Sequence, residues 1–193
     1  ASSKILALAE KAQARAASQF AQINATQRWN QQKMLAAFQR ARVSESCFAA
    51  STGYGYDDRG RDVLDEVYAQ AFGAEDALVR YNFVSGTHAL TVALFGVLRP
   101  GDTVLCATGT PYDPIQGVFG LPGREEPGCL KEFGVVYEQV DLLPNGTPDY
   151  AELEREIASD CKMVYIQRSR GYSLRPSMSV AEIEKLAAFV KKK

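Results

Sequence analysis

Apolar positions recur along this chain at two different periods, and the places where the period changes divide it. Ile5, Ala9, Ala12, Ala16, Phe20 and Ile23 follow one another at helical steps. That is the stripe of an amphipathic helix, which must pack on something. A second helix is predicted from about Gln27 to Arg42, with Leu35 and Phe38 on its buried side and the glutamines around Trp29 in solvent. From Ser51 to Gly60 the pattern gives way to Ser-Thr-Gly-Tyr-Gly-Tyr-Asp-Asp-Arg-Gly, a loop and a boundary. Helix 62–72 follows, with Val63, Leu64, Val67, Tyr68 and Ala71 on one face and Gly73 as its stop.

Beyond Gly73, short apolar runs alternate with helical ones. The pattern predicts strand 77–84, helix 87–98, a turn at Pro100-Gly101 and strand 103–107. A loop then carries Thr110-Pro111-Tyr112-Asp113-Pro114. Short helix 125–133, strand 134–140, a turn at Pro144-Asn145-Gly146, helix 149–158, strand 162–167 and helix 179–191 complete it, with Asp149 and Ser179 as N-caps. Such alternation predicts an α/β fold with a mainly parallel sheet flanked by helices. Residues 1–50 form an N-terminal helical arm on this reading, and residues 51–193 a sheet-containing domain. Ligands in such sheets bind beyond the carboxyl ends of the strands. Three polar loops leave strands there: Ser85–Thr87, Thr108–Tyr112 and Gln167–Tyr172.

Composition narrows the classes. The chain has 193 residues, 46% hydrophobic and 23% charged, enough for a real core, and its net charge is −1. Acidic and basic residues are interspersed, leaving no electrostatic footprint for nucleic acid. Lys191, Lys192 and Lys193 form the one basic run, placed where cations complement a helix terminus. Cys47, Cys106, Cys129 and Cys161 are far apart and His88 is the lone histidine, so no zinc site of the usual kind is expected. Reduced thiols, no signal peptide and no apolar run of membrane length predict a cytoplasmic protein that does not engage the membrane.

The most informative stretch is Tyr81-Asn82-Phe83-Val84-Ser85-Gly86-Thr87-His88-Ala89-Leu90. The first N–H groups of a helix lack internal partners and the dipole adds positive charge there, so Ser85-Gly86-Thr87 can cradle a phosphate. Equally, Ser85 or Thr87 can be an N-cap that needs no ligand. Gly53-x-Gly55 has Asp58 where a dinucleotide fingerprint needs its third glycine, and no P-loop occurs. His88 lies inside the predicted helix, a position that suits packing better than general base catalysis.

Three runs in order carry a family resemblance: Gly53-Tyr54-Gly55-Tyr56-Asp57-Asp58-x-Gly60-Arg61-Asp62, Val84-Ser85-Gly86-Thr87-His88-Ala89-Leu90, and Ile166-Gln167-Arg168-Ser169-Arg170-Gly171-Tyr172-Ser173. Over essentially its whole length the chain resembles the methionine gamma-lyase-like, or aluminium resistance protein, family. These are pyridoxal phosphate enzymes of the aspartate aminotransferase-type fold, related to cystathionine gamma-synthase and beta-lyase. The resemblance implies that Ser85, Gly86 and Thr87 hold the phosphate of pyridoxal phosphate and that Tyr112 stacks on its ring; a surface aromatic is the other reading of Tyr112. It implies that Tyr56 and Arg59 reach the phosphate of a neighbouring subunit, although Arg59 also suits a solvated position. Gln167, Arg168, Ser169 and Arg170 sit where relatives contact ring or substrate, and Arg168 or Arg170 suits a substrate carboxylate or a surface ion pair.

The resemblance further implies a homo-oligomer, dimer or tetramer, with shared active sites, and carbon–sulfur elimination from a sulfur-containing amino acid. In one respect the chain departs from its relatives, which continue into strands bearing the Asp that pairs with the pyridine nitrogen and the Schiff-base Lys. Lys4, Lys11, Lys33, Lys131, Lys162, Lys185 and Lys191, Lys192 and Lys193 all lie in predicted helices or at the wrong end of a strand. No catalytic lysine is therefore expected, and the chain reads as the first part of the cofactor-binding large domain. A non-catalytic assembly module and a pyridoxal phosphate-dependent aminotransferase are the alternatives.

Overall fold

A computed structural model of the chain describes residues 2–56, 58–157 and 161–192. Asp57 of the glycine-tyrosine run, the last residue of the helix predicted over 149–158, and Lys193 lie outside the described residues. The chain divides into two compact units, Ala1–Asn82 and Phe83–Lys193.

The first unit is helical: α1 (Ser3–Arg15), α2 (Ala17–Arg40), a short 3-10 turn at Glu45–Phe48, and α3 (Arg59–Phe72). The break falls at Ala16, where φ is −94° and ψ 4°, so the stripe predicted as one helix to Ile23 is divided there and Asn24–Thr26 lie inside α2. The small core here is Ala37, Ala41 and Val67, with Val43 and Val63 against it. Leu35 and Phe38, expected on the buried side of α2, are exposed. The buried stripe passes instead through the alanines, whose short side chains let α2 and α3 approach closely. Asp58 caps α3 by accepting from Arg61 N–H at 3.2 Å, and α3 ends at Gly73.

Residues 77–84 do not form the predicted strand. The Asp65 carboxylate takes the Val79 N–H at 2.7 Å and the Arg80 guanidinium at 2.7 Å, holding the backbone to α3 through a side chain. A charge-assisted bond of this kind competes directly with a strand ladder for the same donor.

In the second unit α4 (Gly86–Val97) leads to β1 (Thr103–Cys106), α5 (Asp113–Phe119), β2 (Val136–Gln139), α6 (Tyr150–Glu156), β3 (Cys161–Tyr165) and α7 (Val180–Val190). The strands form one parallel sheet ordered β2-β1-β3, with Val104 paired to Tyr137 on one side and Leu105 to Val164 on the other. β1 is therefore the centre. Successive side chains on a strand face opposite ways. Val104 joins Leu94, Leu98, Ile115, Phe119, Leu130 and Val135 on the face covered by α4 and α5, and Leu105 joins Val140, Leu153, Met178 and Leu186 on the face covered by α6 and α7. The predicted α/β architecture is present.

Two local expectations fail. Segment 125–133 is a series of turns, because Pro127 disfavours helix at the residue before it and Gly128 takes a φ of +80°. Conversely, the loop expected at 110–114 contains the start of α5, with Pro114 in its first turn and Ile115 and Phe119 buried one turn apart. Asp149 and Ser179 both act as N-caps, the latter in a reciprocal capping box with Glu182.

Leu105 is fully buried, so Leu105→Ala should cost about 2–5 kcal/mol in chemical denaturation. Val136→Ala, on the half-exposed edge strand β2, should cost under about 1 kcal/mol by the same measurement.

Candidate functional site

The loops leaving the carboxyl ends of the three strands enclose a polar cleft of about 450 Å³ in the second unit. β1 sends its chain to α5 on one face of the sheet while β3 sends its chain to α7 on the other, so their loops diverge and leave a crevice. Tyr112, Gln116, Asp141, Gln167, Arg170 and Arg175 are among its lining residues.

Tyr112 is the hub. It is the N-cap residue of α5 and packs on the buried cluster beneath. Its N–H donates to Gln167 Oε1 at 2.9 Å, and its hydroxyl lies 3.1 Å from the Thr87 hydroxyl at the start of α4. Gln167 is itself fixed: its N–H donates to Thr108 Oγ1 at 2.9 Å and its Nε2 to the Ser169 carbonyl at 3.0 Å. Gly171, at φ +57°, sits so close that a Cβ there would meet Tyr112 Cβ at 3.2 Å. One aromatic ring is thus held from three elements.

The Ser85–Thr87 turn adjoins the cleft through that hydroxyl pair but does not line it. Ser85 is the N-cap of α4, its Oγ accepting from His88 N–H at 3.0 Å. A hydroxyl that accepts one bond still has a proton to donate. Gly86 is exposed and a Cβ built on it would meet nothing within 4 Å, so the first N–H groups of α4 are open to approach. His88 is held by its neighbours, with Nδ1 accepting from Val84 N–H at 3.3 Å and its ring edge-on to Phe83.

Of the other residues singled out in sequence, Arg170 lines the cleft, whereas Arg168 and Ser169 are exposed and outside its lining; the Ser169 carbonyl accepts from both Gln167 and Arg175. Tyr56 and Arg59 belong to the first unit, Tyr56 exposed in a turn and Arg59 opening α3 against the Cys47 thiol. Arg175, two residues beyond the end of the third motif run at Ser173, was missed in the sequence. A charged residue between a strand end and the next helix was the available signal. No lysine lines the cleft among the described residues. Among them, too, no cluster of side chains suits a metal ion, and no helix is long and apolar enough to cross a membrane.

The profile of the methionine gamma-lyase family matches residues 5–193. The uncharacterized protein YnbB of Bacillus subtilis (strain 168) is 47% identical over 162 residues, 84% of this chain and 38% of YnbB. A solved Listeria innocua protein, provisionally named a cystathionine beta-lyase involved in aluminum resistance, is 45% identical with a TM-score of 0.92, over 97% of this chain and 46% of that one. A carbon-sulfur lyase involved in aluminum resistance from Clostridium novyi NT is 44% identical with a TM-score of 0.90, over 99% of this chain and 46% of that one. The chain thus spans less than half the length of each of these relatives.

The two units differ in thiol chemistry. At the carboxyl end of β1, burial pushes the Cys106 thiol up to about 12. The backbone bond from Ser44 and the nearby Arg59 charge hold the Cys47 thiol below its ordinary range. Because the thiolate is the nucleophile, iodoacetamide between pH 7 and 9 should label Cys47 first and leave Cys106 unmodified until unfolding, as read by peptide mass mapping.

Proposed function

Because the chain belongs to the methionine gamma-lyase family, we propose that it contributes the cofactor-phosphate side of a pyridoxal phosphate-dependent carbon–sulfur lyase acting on a sulfur-containing amino acid. The observation that carries the reading is the Thr87–Tyr112 hydroxyl contact of 3.1 Å, which couples an open helix start to an immobilised aromatic ring at the rim of a polar cleft. The cleft's volume, about 450 Å³, lies within the range of small-molecule sites.

On this reading the N–H groups of Gly86 and Thr87 bind the phosphate dianion, with the Ser85 hydroxyl donating beside them. The Tyr112 ring orients the pyridine by stacking. Arg170 receives the substrate carboxylate, since its planar fork matches two oxygens; Arg168 and Ser169, outside the lining, act at the rim. When bound, pyridoxal phosphate supplies an electron sink for charge developing on the substrate. The lysine such chemistry requires is contributed by residues outside this chain, and the complete enzyme assembles as a homo-oligomer in which Tyr56 and Arg59 serve a neighbouring subunit's phosphate. The four dispersed cysteines, with the Cys47, Cys106 and Cys129 thiols free, suit a cytoplasmic setting.

Gly86 offers an unusually clean test, since a side chain there meets open space and leaves the fold unstrained. Gly86→Val should weaken pyridoxal phosphate binding by about 1–3 kcal/mol in calorimetric titration with an unchanged melting temperature. Equal affinity in variant and parent would place the phosphate elsewhere. Tyr112→Phe, which removes the Thr87 contact and keeps the ring, should lose less than about 1.5 kcal/mol, and Tyr112→Ala should lose more.

A further inference from the structure

Arg175 occupies a position with an unusual electrostatic balance. It is partly buried at the edge of the cleft, and among the described residues no carboxylate lies within ion-pair reach of it. Among the described residues its guanidinium is met instead by backbone carbonyls. Nη2 donates to the Ser169 carbonyl at 2.8 Å and the Gln167 carbonyl at 3.4 Å, and Nη1 to the Pro176 carbonyl at 3.1 Å. Removing a guanidinium from water is costly unless its donors are satisfied, and here one loop satisfies them. Its acidity shifts accordingly, with burial lowering its pKa.

Those carbonyls belong to the loop that holds Tyr112. The Ser169 carbonyl is shared between Arg175 and the Gln167 carboxamide, and that same carboxamide accepts the Tyr112 N–H at 2.9 Å. The loop also carries Gly171, whose backbone lies against Tyr112 Cβ. A continuous set of bonds therefore runs from Arg175 through Ser169 and Gln167 to Tyr112. Only a planar fork can clamp three carbonyls this way; an ammonium group on a flexible stem cannot reproduce it.

We infer that Arg175 is a positioning residue: by clamping the carbonyls of Gln167, Ser169 and Pro176 it fixes the Gln167 carboxamide and, through it, the orientation of the Tyr112 ring at the cleft. Its role in catalysis rests on the reading of Tyr112 as the ring-stacking residue; the clamp itself does not. Because the guanidinium is spent on its own loop, Arg175 is assigned to holding the site rather than to binding substrate. That separates it from Arg170.

The test is amide hydrogen exchange by NMR on the 193-residue chain, comparing parent, Arg175→Gln and Arg175→Lys, followed by pyridoxal phosphate titration of Arg175→Gln, Tyr112→Ala and the double variant. In Arg175→Gln the Tyr112 amide should exchange at least about fivefold faster, the scale of one lost hydrogen bond. The Ala107 and Val140 amides, bonded to Tyr165 and Cys106 within the sheet, should stay unchanged. Arg175→Lys should behave like the glutamine variant, because charge without the fork does not clamp. In the titration the two single variants should lose affinity and the double variant no more than the worse of them, since both act on one ring.

A Tyr112 amide that exchanges at the parental rate in Arg175→Gln, or additive losses in the double variant, would overturn the assignment. If Arg175→Gln also loses protection at Ala107 and Val140, the lysine variant decides by the same criteria. A parent chain that binds no pyridoxal phosphate would defeat the proposed function, while the exchange rates would still decide the clamp.

Discussion

The second unit is organised by one requirement: from Val104 to Cys106 β1 is buried on both faces and has a strand on each side, so none of these residues can face water. Val104 and Leu105 are both 0% exposed although they point in opposite directions. Each such side chain contributes roughly 1.5–3 kcal/mol when removed from water. A strand of this kind demands helices above and below, and the chain supplies α4 and α5 on one face and α6 and α7 on the other. Parallel pairing then brings the carboxyl ends of all three strands to a single edge, where irregular backbone and polar side chains gather because no ladder uses them. The cleft is the product of that geometry before any ligand is considered.

What makes the edge more than a collection of loops is how tightly its one central aromatic is held. Tyr112 is bonded through its backbone to the loop after β3, through its hydroxyl to the start of α4, and packs on the core that β1 creates. A ring so restrained loses little freedom when something stacks on it, which is the physical content of preorganisation. The open α4 terminus beside it supplies the complementary feature, backbone donors that the helix itself does not use. An apolar helix cap alone would explain Ser85; it would not explain a hydroxyl link from Thr87 to a cleft tyrosine.

The chain displays its architecture openly where burial decides structure. The apolar runs at 103–107, 134–140 and 162–167 and the periodic stretches at 87–98 and 179–191 correspond to β1, β2, β3, α4 and α7, because each is a one-sided or two-sided apolar surface that must be covered. Sequence pattern misleads where a side chain takes over a backbone's role. Residues 77–84 look like a strand, yet the Asp65 carboxylate claims the Val79 donor from fourteen positions away, a contact no local window contains. Pro114 looks like a loop residue but starts α5, since proline suits a first helical turn as readily as a bend. In the arm, large apolar residues attract attention, while the close contact between α2 and α3 is made by Ala37, Ala41 and Val67. The site divides in the same way. Tyr112, Gln167 and Arg170 announce themselves by position after a strand, whereas Arg175 matters through bonds to backbone carbonyls, which a charged residue in a loop signals only weakly.

The central claim is that the phosphate of pyridoxal phosphate sits on the start of α4 with its ring against Tyr112. A crystal structure of this chain soaked with pyridoxal phosphate addresses it directly. The account predicts phosphate oxygens within about 3 Å of the Gly86 and Thr87 backbone nitrogens and the pyridine stacked on the Tyr112 ring. Phosphate bound instead on Arg170 and Arg175, with the α4 terminus bare, would contradict it.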